Sequence, residues 1–236
     1  MDKIGIIGAM DEEIATYLQH LKKTKTKEYY SFTFYEGTLN NQSVVIVKSG
    51  VGKVFAAMIT QYLIDTFKVK TILFTGVAGA LNKNIQIGDL VIGKDSMYHD
   101  FDATALGFQR GKISYTNLRI FPANKELLKS ALNTKLDKNN FFSGRIITGR
   151  ILTGDQFFTQ SQRNKHNYFT AELHGDCIEM EGAAVAHVCT INNIPHLIIR
   201  TISDQADGKA VQDYNRFKSV VAQNSFAIIN KLISEV

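Results

Sequence analysis

A three-layer α/β fold is what the sequence predicts, and three observations predict it. Apolar runs of strand length alternate with longer segments of helical periodicity from Lys3 almost to the end of the chain. Strand candidates such as Thr71-Ile72-Leu73-Phe74-Thr75-Gly76 are apolar on both faces, as expected of a sheet covered by helices on both sides. The 236 residues, 44% of them hydrophobic, are enough for one large core. No composition shift, linker or repeat divides them, so a single domain over 1–236 is expected.

The elements follow in order. Lys3-Ile4-Gly5-Ile6-Ile7-Gly8 reads as a strand running into a helix over 11–22, whose first turn is Asp11-Glu12-Glu13. Taken alone, such an acidic run is a solvated first turn. Lys22-Lys23-Thr24-Lys25-Thr26-Lys27 reads as a solvated loop or helix end. Strands are expected at 29–36 and 43–48, then a helix at 52–67, then strands at 71–76 and 86–92. The second half gives helices at 124–135, 160–168, 182–192 and 214–234, with strands at 144–148, 176–181 and 195–203. In the last helix Phe217, Val220, Val221, Ile228 and Leu232 make one apolar stripe.

Composition removes several function classes. Apolar runs stop well short of the roughly 20 residues that span a bilayer, and no signal-peptide pattern is seen, so a soluble, cytoplasmic protein is expected. Cys177 and Cys189 have neither metal spacing nor a disulfide framework, which suits free thiols in a reducing compartment. The net charge of +5 would permit nucleic-acid contact, but the lysines scatter and no nucleic-acid-binding motif accompanies them. Gly5 and Gly8 do not begin a G-x-G-x-x-G fingerprint, because Ile7 and Met10 occupy its other glycine positions. Ser49-Gly50-Val51-Gly52-Lys53 is not a Walker A loop either, since Val47 replaces the leading glycine and Val54 the magnesium-binding hydroxyl.

Chemistry concentrates in acids set within apolar sequence. In Asp176-Cys177-Ile178-Glu179-Met180-Glu181-Gly182 a short strand breaks into a helix of small apolar residues, and burying its carboxylates requires partners. If Ile178 to Glu181 is extended, Glu179 and Glu181 share a face. Arg200, inside the apolar strand Pro195–Ser203, is the obvious cation for them. On this evidence a structural ion pair and a ligand site both remain open. Asp204 ends the same strand, where ligands bind in α/β sheets, although a turn residue is the alternative. Thr75-Gly76-Val77-Ala78-Gly79-Ala80 and Thr153-Gly154-Asp155-Gln156-Phe157-Phe158 are Gly-rich turns that would let backbone approach a small polar ligand, or simply turn.

The ordered set Gly8-Ala9-Met10-Asp11-Glu12-Glu13, Ser49-Gly50-Val51-Gly52-Lys53-Val54, Thr75 to Gly79, Tyr98-His99-Asp100, Thr153 to Phe157, Glu179-Met180-Glu181 and Arg200-Thr201-Ile202-Ser203-Asp204 closely resembles the bacterial 5′-methylthioadenosine/S-adenosylhomocysteine nucleosidases. Each motif is weak singly, but the set is specific and covers essentially the whole chain. The resemblance implies a nucleoside phosphorylase-type fold with a central mixed sheet, no metal or cofactor, and a homodimer in which a neighbour's loop completes each site. It implies hydrolysis of the N-glycosidic bond of these thionucleosides to release adenine.

By the same resemblance, Glu13 activates water, and Asp204, supported by Ser203, acts on N7 and the amine of the leaving adenine. Glu181 holds the ribose hydroxyls, Met180 packs beside the sugar and Glu179 lies near the water network. Arg200 orients the carboxylates, Phe157 stacks on adenine and Phe158 offers backbone polar groups. Met10, Val51, Tyr214 and Phe217 line the 5′-alkylthio pocket, Ala78 and Gly79 offer backbone, and Ala103 and Leu106 close the pocket from the partner. Two departures stand out: Val77 replaces a serine common near the water, and Ala103 and Leu106 are smaller or more flexible than the family's usual Val and Phe. Other readings are an aminodeoxyfutalosine nucleosidase, a purine nucleoside phosphorylase and a non-catalytic nucleoside-binding protein. Asp11-Glu12-Glu13 argues against the phosphorylase, because a carboxylate base repels phosphate by about 1–4 kcal/mol at contact distance.

Overall fold

The computed structural model describes residues 2–134, 144–165 and 167–235. Its first half comprises β1 (Ile4–Gly8), α1 (Asp11–His20), β2 (Lys22–Tyr29), β3 (Phe32–Leu39), β4 (Gln42–Lys48), α2 (Lys53–Phe67), β5 (Thr71–Phe74), β6 (Val77–Ala80) and β7 (Leu90–Tyr98). A 3-10 turn at Thr104–Leu106 precedes β8 (Phe121–Pro122), α3 (Lys125–Asn133), β9 (Ile146–Thr153), α4 (Gln160–Lys165), α5 (Tyr168–Ala171), β10 (Cys177–Glu179), α6 (Gly182–Ile191), β11 (His196–Asp204) and α7 (Ala210–Glu235).

These strands form one mixed sheet in the order β2-β3-β4-β1-β5-β11-β6-β10-β9-β7-β8, with β7 also paired to β11. The extra pairing closes β11, β6, β10, β9 and β7 into a circuit, while β5, β1, β4, β3 and β2 fan away as an open sheet. Period-two alternation supplies both faces. Ile4, Ile6, Val44 and Ile46 pack toward Ile14, Leu127, Ile228 and Leu232 of α1, α3 and α7. Their neighbours Ile7, Val45 and Val47 pack toward Ala56, Ile59 and Leu63 of α2 and toward Val185 of α6. The layers are therefore α2 and α6, then sheet, then α1, α3 and α7.

Several elements differ from the sequence expectation. Lys22–Lys27 lies in β2, an exposed edge strand whose lysines discourage further strand pairing. The expected strand 29–36 is split by a hairpin, with Tyr30 left-handed at φ 51°. Thr75–Ala80, expected as a turn, becomes β6 from Val77 onward, because β10 and β11 pair with it on either side. The strand at 86–92 starts later, because Asp89 holds the backbone N–H groups of Gln86 and Arg145 in a turn. It then continues to Tyr98 and bulges at Lys94 against β9. Residue 135, the end of the helix expected at 124–135, and residue 166, inside the one expected at 160–168, lie outside the described residues, as do the side chains of Val220 and Val221.

Candidate active site

A cleft of about 570 Å³ opens where β1, β10 and β11 end beside β6. Asp204 lines it. β11 bulges at Ser203, where the pairing with β6 steps from Ile202–Ala78 to Asp204–Gly79, and the bulge turns the carboxyl into the cleft. Asp204 Oδ2 accepts from Ser203 Oγ at 2.9 Å and Oδ1 accepts from the Ala206 N–H at 2.8 Å. With no cation bonded to it among the described residues and 3% exposure, the carboxyl has its pKa raised, chiefly by burial. A Cβ at residue 79 would stand 2.8 Å from Asp204 Oδ1, so glycine is required there for the acid to sit against the strand.

Glu13, Glu179 and Glu181 line the same cleft. Glu13 lies in the first turn of α1 but is buried, not solvated. Its Oε2 accepts from the N–H groups of Ala9 (2.6 Å) and Met10 (3.1 Å), and its Oε1 from Val77 at 3.0 Å. Burial raises its pKa against the opposing pull of Arg200 and these donors. Gly76 is the matching close approach, since a Cβ there would meet Glu13 Oε1 at 2.7 Å and Arg200 Nη1 at 2.9 Å.

Glu179 and Glu181 do not share the face of one extended strand. β10 ends at Glu179, and Glu181, with φ −137° and ψ −36°, caps α6. Glu179 is fully engaged: Oε2 accepts from Arg200 Nη2 (2.6 Å) and Nε (3.3 Å) and from the N–H groups of Glu181 and Gly182, while Thr153 Oγ1 donates to Oε1. The structural ion pair holds for Glu179, whose carboxylate also accepts from the backbone at the start of α6. Arg200 itself lies behind the cleft wall, 1% exposed and stacked on Phe74. Glu181 receives only the Gly52 N–H, at 2.8 Å. Burial, followed by the charge of Glu179, pushes its pKa up to about 8.

Aromatic and apolar residues complete the cleft. Phe157 stands 39% exposed at its edge, with Tyr214 edge-on at 5.4 Å, and the Tyr214 hydroxyl donates to Met10 Sδ. Phe158 is buried against Phe169 and supports this loop from behind. Val51, Ala78, Gly79 and Met180 also line the space. Phe217, expected in the pocket, does not line it, and is half-buried on α7 beside the Arg216 guanidinium. Ala103 and Leu106 sit at the 3-10 turn, away from this chain's own cleft. Gln156, Ala9 and Ile178 line the cleft without having been singled out in the sequence. Gln156 occupies the variable position of Thr-Gly-Asp-x-Phe, and the other two neighbour marked residues. Among the described residues no group of three or more His, Cys, Asp and Glu is placed to hold a metal ion.

A strand-end cleft lined by Asp204 and three glutamates, in a partly closed mixed sheet, fits the phosphorylase superfamily, whose family model matches residues 3–234. A 5′-methylthioadenosine/S-adenosylhomocysteine nucleosidase of Staphylococcus haemolyticus is 38% identical over 98% of both chains. The crystal structure of such a nucleosidase from Colwellia psychrerythraea, in complex with adenine, superposes with a TM-score of 0.93 at 33% identity, covering 99% of this chain and 95% of that one. The futalosine hydrolase of Helicobacter pylori reaches 0.90 at 30% identity, covering 100% and 98%. The chain belongs to the 5′-methylthioadenosine/S-adenosylhomocysteine nucleosidase family within that superfamily.

Proposed function

We propose that the protein hydrolyses the N-glycosidic bond of 5′-methylthioadenosine and S-adenosylhomocysteine, releasing adenine and the 5-thioribose. The observation that carries the reading is the division of one cleft between a cation-free acid, Asp204, and a wall holding Glu13 and Glu181. Breaking the bond leaves positive charge on the sugar and negative charge on the base. Asp204, its pKa raised by burial, holds a proton for N7, and Phe157 offers a ring face to the purine. Glu181 takes the ribose hydroxyls. Glu13, its pKa raised but its anion still steadied by three N–H groups, accepts the proton of the attacking water. Val77 contributes its backbone N–H to Glu13, a contact that does not depend on the side chain at this position.

Water is favoured over phosphate because Arg200 is engaged by Glu179 and the rest of the wall is acidic. In assembly, the reading is a twofold homodimer acting in the cytoplasm, with the Ala103–Leu106 turn closing the neighbour's 5′ pocket and residues 1–236 acting as one domain. The exposed apolar side chains of Val54, Phe55, Met58 and Leu106 support that interface, and the buried free thiols Cys177 and Cys189 support the compartment. Likeness to the futalosine hydrolase makes aminodeoxyfutalosine the second substrate to test. Purified protein is expected to release adenine from methylthioadenosine and adenosylhomocysteine with a higher kcat/KM than from aminodeoxyfutalosine, with chelator present. The reverse ranking would move the assignment to the second substrate.

A further inference from the structure

Lys53 opens α2 immediately after Gly52, whose N–H holds Glu181. Its own N–H donates to Asp155 Oδ1 at 2.9 Å, and its ammonium lies 2.6 Å from Asp100 Oδ2 and 3.5 Å from Asp155 Oδ2. Asp100 Oδ2 accepts in addition from the Asp155 N–H at 3.0 Å. The ammonium also lies 5.5 Å from the Tyr98 ring centroid. Three segments distant in sequence therefore meet on one cation. The first is the Gly52 turn that holds the ribose-side carboxylate, and the second is the Asp155 loop that carries Gln156, Phe157 and Phe158. The third is the end of β7, from which the chain leaves toward Ala103 and Leu106.

Pairs this exposed, with side chains 25% and 22% accessible for Lys53 and Asp100 and 49% for Asp155, add little to global stability. Their consequence is positional. The base-stacking loop and the ribose-holding turn belong to different elements, and a misplacement of about 1 Å in a site can cost on the order of 10²-fold in rate. We propose that Lys53 is a positioning residue that clamps the base-stacking loop to the ribose-holding turn through Asp155 and Asp100. Its effect on turnover rests on the nucleosidase reading above, whereas its effect on loop order does not.

The test compares wild type with Lys53→Met, Lys53→Arg, Asp155→Asn and the Lys53→Met/Asp155→Asn double variant. Hydrogen exchange in the segments 99–103 and 153–158 should quicken in Lys53→Met and stay near wild type in Lys53→Arg, whose guanidinium can span both carboxylates. With methylthioadenosine, Lys53→Met should lose about 10-fold or more in kcat/KM, while adenine affinity falls by less, because free adenine needs only the base end. Adding Asp155→Asn to Lys53→Met should cost less than about twofold more, since both act on one contact. Unchanged exchange in those segments, or losses that multiply, would overturn the clamp. A wild-type protein that releases no adenine would instead sink the nucleosidase reading and leave the exchange result to decide the clamp.

Discussion

The two ends of the cleft handle buried acid in opposite ways. Asp204, at the base end in the proposed reading, has among the described residues one hydroxyl and one backbone N–H and no bonded cation, and burial raises its pKa. At the end proposed for the ribose a cation is present, but Arg200 is bonded to Glu179, and Glu13 and Glu181 face the cleft with backbone donors instead. The contrast teaches that the arginine does not serve the substrate directly. It fixes Glu179, while burial keeps the pKa values of Glu13 and Glu181 raised against its pull.

The largest expected effect is at Glu13. Glu13→Gln removes the proton acceptor, and turnover should fall toward about 10⁴-fold, the upper range for one general base. The amide also turns an NH₂ toward an N–H that the carboxylate now accepts, which costs about 1–3 kcal/mol of stability. Near-wild-type adenine release would remove Glu13 from its role. Asp204→Asn should lose at least about 10²-fold. Ser203 can rotate to accept from the new amide, so the fold should survive. The loss should shrink on a nitrophenyl glycoside of the same sugar, whose leaving group needs no protonation. An equal loss on both substrates would make Asp204 a structural group.

Arg200→Met leaves Glu179 buried without its cation and should cost about 3–5 kcal/mol in denaturant unfolding. A loss below about 1 kcal/mol would mean that the Arg200–Glu179 pair adds little to the stability of the fold. The smallest effect concerns Glu181. Its pKa is near 8 when folded and in the ordinary carboxylate range when unfolded, so between those values the folded state binds more protons, and this group's contribution to stability falls as pH rises. Glu181→Gln should therefore raise Tm more at pH 8 than at pH 5. An equal change at both would show that Glu181 is already ionised at low pH.

The acids were legible in the sequence because a carboxylate or guanidinium within an apolar run needs a partner, and Arg200 with Glu179 bears this out. Which glutamate takes the cation was not legible, because it depends on β10 stopping at Glu179 and on Glu181 leaving the extended conformation. The layered fold followed from strand-length runs apolar on both faces, and β1 and β4 bury residues against both helical layers. The closed circuit did not, since it rests on pairings among β6, β7 and β11 that no local pattern encodes. Gly76 and Gly79 read as turn formers, yet they serve as gaps in which Glu13 and Asp204 lie.

The central claim, that the acidic wall makes water the nucleophile, is tested most directly by identifying the sugar product when methylthioadenosine is turned over in phosphate buffer. The account predicts free methylthioribose, an unchanged rate when phosphate is omitted, and no sugar phosphate in the ³¹P spectrum. Accumulation of methylthioribose 1-phosphate, with adenine release that depends on phosphate, would contradict it.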